Sequence, residues 1–145
     1  MIMENNYSMV KNTMKLTIPA ISQNESFARS VVAAFFAQLN PTMEQIEDLK
    51  TAVSEAVTNC IVHGYEGEQK GNIEISYTIE DSQLVVEIDD NGKGIDDVKQ
   101  AMQPFFTTNT SGERSGMGFT VMQAFCDSVQ VTSNNGTKVK LTKKV

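Results

Sequence analysis

Residues 84–95 read "LVVEIDDNGKGI", an apolar strand pattern that ends in two aspartates, an asparagine and two spaced glycines. The alternation predicts a strand, and the residues after it predict a loop. "DNG" is also a common tight turn, so Asp-x-Gly-x-Gly by itself is a weak sign of a binding loop. A dinucleotide-binding loop is excluded, because the glycines lack the G-x-G-x-x-G spacing and "IDDVKQAM" does not read as the helix of a βαβ unit. The question is what a loop that begins with Asp90 holds.

The segments around this stretch predict four more strands. "MKLTIPA" (14–20) and "NIEISYTIE" (72–80) alternate apolar and polar residues, and "DS" (81–82) reads as a tight turn into the opening stretch. At the end of the chain, "VQVTS" and "TKVKLTKK" predict a closing hairpin across "NNG".

Three helices are predicted, two before and one after the opening stretch. Residues 24–38 repeat apolar side chains every four residues, a second helix runs from Met43 to His63, and "GMGFTVMQAFCDS" predicts a third. The candidate caps are Ser22 or Asn24 for the first helix and a capping box of Thr42 and Gln45 for the second. This order predicts an α/β (α+β) two-layer sandwich, in which helices cover one face of a mixed, mostly antiparallel sheet.

Composition and charge exclude several classes of protein. The net charge is −6 and the 12 Lys and Arg residues are scattered, which argues against direct nucleic-acid binding. No apolar run is long enough for a membrane span, and the polar start does not read as a secretory signal. Cys60 and Cys126 fall in apolar helical patterns, which indicates reduced, buried thiols in a cytoplasmic protein. We expect residues 1–13 to form a flexible extension and residues 14–145 to form a single domain.

Glu55 and Asn59 are the polar residues of interest on the second helix. They are four residues apart, so they lie on one side of the helix, beside the apolar stripe. The helix alone favours a solvated pair at the margin of the core. A pair that lines a pocket is the alternative.

The stretch "RSGMGF" (114–119) places two spaced glycines at the start of the third helix. Backbone N–H groups at a helix start bind phosphate oxygens, and Arg114 adds a charge that suits them. A flexible hinge is the alternative for this stretch taken alone.

Taken together and in this order, the three pieces resemble the GHKL family of ATP-binding domains, which share the Bergerat fold. Glu55-x-x-x-Asn59 is similar to the N box of that family, "DDNGKGI" to its first glycine box and "GMGF" to its second. The resemblance spans residues 14–143 and implies a long ATP lid between the two glycine boxes.

The resemblance implies a role for each matching residue. Asp90 would accept a hydrogen bond from the exocyclic amine of adenine, and Thr137 would add a water-mediated contact. The glycines would let the backbone approach the nucleotide. The full set of expected ATP- or ADP-binding residues is Asn59, Asp90, Gly92, Gly94, Thr107, Thr108, Ser115, Gly116, Met117, Gly118 and Thr137.

The catalytic expectations also come from the resemblance. Asn59 would coordinate magnesium, and Glu55 would act as the general base that takes a proton from water or from an incoming serine hydroxyl. Arg114 would contact either the γ-phosphate or a partner, and the two roles stay open. For His63, a capping or pocket-rim role is favoured over a role as phosphoacceptor.

Longer stretches, from 22 to 66 and from 104 to 125, are similar to a branch of the family made up of anti-sigma factors with serine-kinase activity that act in sporulation. This implies a homodimer that inhibits an RNA polymerase sigma factor and phosphorylates a serine on an antagonist (anti-anti-sigma) protein. Glu25, Arg29 and Arg114 are the expected partner contacts, although composition alone favours a solvated face for residues 24–38. The alternatives are a general-stress type of anti-sigma kinase, a nucleotide-sensing binding module without kinase activity, and a detached catalytic domain that phosphorylates a partner histidine.

Overall fold

The sheet consists of five strands, which in chain order are β1 (Asn12–Pro19), β2 (Asn72–Glu80), β3 (Gln83–Asp90), β4 (Ser128–Ser133) and β5 (Thr137–Lys144). The computed structural model describes residues 11–65, 71–92, 98, 102, 118–133 and 135–145. The order across the sheet is β1-β2-β3-β5-β4, and each neighbouring pair is antiparallel. The two-layer sandwich is therefore confirmed, and the described strands contain no parallel pair of the expected mixed sheet.

Alternation along the strands separates a covered face from an open one. Every second residue of β2 and β3 is buried while the residues between them are more accessible, as the pleat of a half-buried strand requires. The predicted turn at Asp81 and Ser82 is confirmed, and both residues have positive φ, at 54° and 61°. Such φ values match the two-residue turns that follow the twist of paired strands.

Three helices cover the buried face of the sheet: α1 (Gln23–Phe36), α2 (Met43–Asn59) and α3 (Gly118–Phe125). The helix α2 lies in the middle, in contact with both α1 and α3. A 3₁₀ turn, Ala37–Leu39, extends α1. The largest side chains that are fully enclosed between the layers are Tyr77, Phe36, Leu49, Ile73, Ile75, Leu84, Ile88, Met122 and Leu141.

The second helix ends differently from the prediction. The α-helix stops at Asn59, and Cys60–Gly64 forms a π turn in place of the predicted helix to His63. The Tyr65 N–H donates to the Cys60 carbonyl over 3.0 Å, which closes this wider turn. Single π turns of this kind are frequent at functional sites.

Of the predicted helix caps, one is confirmed and one is wrong. Thr42 accepts the Gln45 N–H and Gln45 accepts the Thr42 N–H, so the capping box is complete. Ser22 occupies the cap position of α1 but has helical backbone angles and makes no side-chain cap bond, and the Asn24 amide donates instead to the Pro19 carbonyl. Helical angles at the cap turn the side chain away from the first N–H groups, so residue type alone was misleading.

Thr42→Ala is expected to lower the free energy of unfolding by about 0.5–2 kcal/mol, because it leaves an N-terminal N–H of α2 without its cap. Urea unfolding followed by circular dichroism measures this. Thr51→Ala is the matched control, since the Thr51 hydroxyl donates to the Glu47 carbonyl within the same helix and alanine favours a helix interior. An equal loss in both variants would contradict the capping argument.

Both cysteines are free; Cys60 is buried and Cys126 is half-buried. None of the helices in the described part of the chain is long and apolar enough to cross a membrane.

Candidate functional site

Asp90, at the end of β3, is the one charged residue that is buried within the described residues, with 3% of its surface exposed. A carboxylate removed from water is costly unless donors surround it. Its Oδ1 accepts the Gly92 N–H at 2.8 Å and the Thr137 N–H at 3.2 Å. The end of the strand is thus folded around a carboxylate whose position is fixed by backbone donors.

The Cys60 thiol is a further donor to Asp90. Burial, together with the adjacent Asp90 carboxylate, raises the pKa of Cys60 well above its usual value. The sulfur therefore keeps its proton at neutral pH and stays a donor. A carboxylate offers about four acceptor positions, and two backbone N–H groups fill those of Oδ1. Both N–H bonds are made to Oδ1, and neither of them uses Oδ2.

Three glycines from separate segments enclose Asp90. A Cβ at Gly64 would lie 2.9 Å from Asp90 Oδ2, and a Cβ at Gly92 would lie 2.1 Å from the Gly64 carbonyl oxygen. Gly136 has φ of +121°, and a Cβ there would lie 2.1 Å from the Asp90 carbonyl oxygen. The π turn, the turn after β3 and the β4–β5 turn therefore meet at distances that only glycine permits.

The sheet register puts polar side chains in line with Asp90 on the covered face. Thr137 is the partner of Asp90 across β3 and β5, and Ser133 is the partner of Thr137 across β4 and β5. Thr137 is half-buried, and the Ser133 hydroxyl donates to the Gly136 carbonyl over 3.1 Å. The structure thus brings Thr137 to Asp90, and its expected water-mediated contact with adenine stays a prediction.

Tyr65 links the segments that form this pocket. Its hydroxyl donates to the Asn72 carbonyl over 2.8 Å and accepts the Asn91 N–H over 2.9 Å. Burial raises the pKa of this hydroxyl from its usual value, so it remains protonated and able to donate.

Glu55 and Asn59 are both half-buried on α2, and each makes a polar or electrostatic interaction. On the same helix Ser54 faces α1, because its hydroxyl donates to Glu25. At about 100° per residue, Asn59 lies about 140° around the helix from Ser54, away from α1. Cys60, the next residue, interacts with Asp90, so Asn59 precedes the residue that joins the end of α2 to β3. His63, in the π turn, is half-buried at the same end of α2.

The remaining predicted residues divide into two groups. Gly118 is half-buried and is the first residue of α3; helix N-termini of this kind carry unpaired N–H groups and the positive end of the helix dipole. The others lie outside the described residues: Gly94, Thr107, Thr108, Arg114, Ser115, Gly116 and Met117.

Glu25 and Arg29, the predicted partner contacts, lie together on α1. The Arg29 Nε is 3.7 Å from a Glu25 carboxylate oxygen, and the Ser54 hydroxyl of α2 donates to that same oxygen. The Arg29 side chain is 42% exposed and that of Glu25 is 24% exposed. Glu25 is thus held against α2, while Arg29 stays accessible.

Reasoning from the sequence missed four residues of the pocket. Cys60 was expected to be a buried thiol without a role at the site. Gly64 was expected only to end a helix and Gly136 only to form a hairpin turn, and no role was predicted for Tyr65. Two of them had a local signal, since Gly64 closes the helix that carries Glu55 and Asn59, and Gly136 directly precedes Thr137. Within the described residues, no group of three or more His, Cys, Asp or Glu side chains could hold a metal ion.

The sequence of this chain matches known proteins of one family. Residues 18–143 match the family model of the histidine kinase-like ATPase domain. An anti-sigma F factor of Thermoanaerobacter sp. (strain X514) is 57% identical over 136 residues, which cover 92% of this chain and 94% of that protein. Anti-sigma F factors of Clostridium botulinum (strain Eklund 17B / Type B) and Bacillus licheniformis are each 53% identical, over 94% and 92% of this chain.

A solved structure shows the same fold. The crystal structure of the RsbU and RsbW domains of Rv1364c from Mycobacterium tuberculosis matches 92% of this chain and 32% of that chain, with a TM-score of 0.67 and 18% identity. The chain therefore belongs to the histidine kinase-like ATPase domain family, and within it to the group of the anti-sigma F factors.

Proposed function

We propose that this protein is an anti-sigma factor that binds and inhibits an RNA polymerase sigma factor of the sigma-F type. With Mg-ATP it also phosphorylates a serine on the antagonist protein that competes for the same surface. It acts as a homodimer in the cytoplasm. The partner is supported by the name shared by relatives at 53–57% identity. The catalytic part is supported above all by one observation, the buried Asp90 carboxylate beside the helix that carries Glu55 and Asn59.

The residues of the pocket fit an adenine nucleotide. The two backbone N–H groups bind Asp90 Oδ1, and Oδ2 would accept the 6-amino group of adenine. A 6-oxo purine would present an acceptor to the carboxylate, and a site built to accept a donor rejects such an analogue. The close approach of the turns at Gly64, Gly92 and Gly136 fixes the carboxylate that the base would meet.

The expected metal ligand also fits. Magnesium commonly takes one or two protein oxygens and completes its shell with water and phosphate oxygens, so the side-chain oxygen of Asn59 suffices on the protein side. When bound, the ion would neutralise charge on the phosphates. Glu55, one helical turn before Asn59, would take the proton from a serine hydroxyl.

Two alternatives differ in the fate of the phosphoryl group. A nucleotide-sensing binding module would need no general base, so Glu55 argues against it. A detached histidine-kinase domain would label a partner histidine, and phosphohistidine is labile to acid whereas phosphoserine is stable. A general-stress type of anti-sigma kinase shares the chemistry and differs in the sigma factor that it binds.

The direct test is to incubate the protein with labelled ATP, magnesium and a serine-bearing antagonist. Acid-stable label on the antagonist, lost on chelation of magnesium, is the expected result. Acid-labile label would support the histidine-kinase alternative, and absence of transfer together with retained ATP and sigma binding would support the binding module.

For the docking surface, Arg29→Ala is expected to weaken sigma-factor binding on the order of 10- to 100-fold, because exposed arginines are frequent anchors of interfaces. Surface plasmon resonance measures the affinity. Lys15→Ala is the control, since Lys15 is an exposed cation paired with Glu74 on the opposite face of the sheet. An unchanged affinity for Arg29→Ala, or an equal loss for Lys15→Ala, would remove this assignment.

A further inference from the structure

We propose that Tyr65 is a positioning residue of the nucleotide pocket, whose hydroxyl holds the turn after β3 in the conformation that presents Asp90 to the purine. The inference rests on the proposed nucleotide binding. It assigns to Tyr65 a role that acts through Asp90 rather than through contact with the nucleotide.

Tyr65 is anchored through both its backbone and its ring. Its N–H closes the π turn on the Cys60 carbonyl, and the residue is 5% exposed. The ring packs on Gly71, where a Cβ would lie 2.6 Å from the Tyr65 Cε1 and where φ is +80°. The side chain is therefore fixed by the backbone on one side and by a glycine on the other.

The Tyr65 hydroxyl joins two strands. It binds the Asn72 carbonyl at the start of β2 and the Asn91 N–H directly after β3. One oxygen thus ties the end of α2, the start of β2 and the end of β3. Both Asn72 and Asp90 lie at the same end of the β2–β3 pair, where Ile73 is the register partner of Asp90.

The bond between the Asn91 N–H and Tyr65 acts on Asp90 through the next residue, Gly92. The N–H groups of Asn91 and Gly92 are consecutive, and the first binds Tyr65 while the second binds Asp90 Oδ1. With both N–H groups held, the turn has little freedom to rotate, and Oδ1 keeps its donor. Without the hydroxyl, the Asn91 N–H and the Asn72 carbonyl lose the group that joins them, and one of the two bonds that hold the turn is gone.

The chain provides a matched control in Tyr77. This tyrosine lies on β2, one strand from Asp90, and is fully buried, but its hydroxyl has no hydrogen-bond partner among the described residues. Tyr77→Phe removes the same atom and should be neutral or stabilising, since no bond is lost. A general effect of tyrosine-to-phenylalanine exchange in this core would appear in both variants.

Tyr65→Phe is expected to weaken the binding of both adenosine and ATP on the order of tenfold, the size of one lost hydrogen bond. In the phosphorylation assay, the KM for ATP should rise by a similar factor while kcat at saturating ATP stays within about twofold, because Glu55 is untouched. Calorimetry measures binding at a temperature where circular dichroism shows wild type and both variants folded. Tyr77→Phe should leave both parameters as in wild type.

The outcomes separate this inference from the proposed function. Failure of the wild type to bind adenosine or ATP would overturn both. Wild-type binding with unchanged affinity in Tyr65→Phe, or an equal loss in Tyr77→Phe, would overturn the inference alone. If Tyr65→Phe does not fold, hydrogen exchange of the backbone amides in the wild type tests the inference. Adenosine should slow exchange at Asn91 and Gly92, and unchanged exchange at both residues would overturn the inference.

Discussion

Glu55→Gln is expected to lower phosphoryl transfer to the antagonist by on the order of 100- to 10,000-fold, the usual range for a lost general base. Glutamine keeps the size and hydrogen-bonding reach of the side chain but accepts no proton from the serine hydroxyl. The side chain lies on α2 one turn before Asn59, and the bonds described at Asp90 and between Glu25 and Arg29 are made by other residues. Nucleotide and sigma-factor binding should therefore survive.

The measurement is single-turnover transfer from labelled ATP, with calorimetry for binding. Glu47→Gln is the matched control, because Glu47 lies on the same helix, is well exposed and pairs only weakly with Lys50 at 3.4 Å. Its rate should stay within about twofold of wild type. Unchanged transfer in Glu55→Gln would rule out the assignment of the base, and loss of nucleotide binding would point to a structural role for Glu55.

Features that depend on neighbours in sequence were predictable. The capping box of Thr42 and Gln45 and the tight turn at Asp81 and Ser82 are both confirmed. Each involves residues within three positions of one another, so propensity and spacing carry the information. The cap at Ser22 is the exception, since its backbone is already helical and its side chain makes no cap bond.

Contacts between distant parts of the chain were not predictable in the same way. Thr137 donates its N–H to Asp90 across 47 positions, and nothing in the residues near Asp90 indicates that bond. The family resemblance supplied Thr137, whereas the periodicity of β5 did not. Gly136, Gly64 and Cys60 likewise gain their roles only when the three turns meet.

The end of α2 shows why the rest of the site escaped prediction. Helical periodicity continues through Cys60 and Ile61, both buried, so the pattern predicts an uninterrupted helix. The π turn inserts extra backbone that carries Gly64 and Tyr65 to β3, and its stability comes from the bonds to Asn72, Asn91 and Cys60. Sequence periodicity does not predict hydrogen bonds between residues that are distant in the chain. Resemblance to a family identifies which residues belong to the site, but not the hydrogen bonds that they make.

Asp90→Asn is expected to weaken ATP binding by about 100-fold or more. Backbone N–H groups approach one oxygen of Asp90, and the purine amine would approach the other. In asparagine, one of these positions becomes an NH₂ donor, so either orientation of the amide sets donor against donor. With the amide oxygen kept on the backbone N–H groups, the bond to the purine amine is lost. One lost hydrogen bond to a charged group is worth about 1.5–3 kcal/mol, which is about 10- to 150-fold in affinity, and the two facing donors repel each other in addition.

Asp89→Asn is the matched control, because Asp89 precedes Asp90, points to the opposite face of the sheet and pairs loosely with Lys138 at 3.9 Å. Its ATP affinity should stay within about twofold of wild type.

The chemistry of the amide also predicts a reversal of preference. With the amide oxygen on the backbone N–H groups, its NH₂ faces the purine and can donate to a 6-oxo group. Asp90→Asn should therefore lose less affinity for inosine triphosphate than for ATP, so that the ratio of the two affinities falls by about tenfold or more. An equal loss of affinity for both nucleotides in a folded protein would mean that Asp90 supports the pocket without contacting the 6-position of the base.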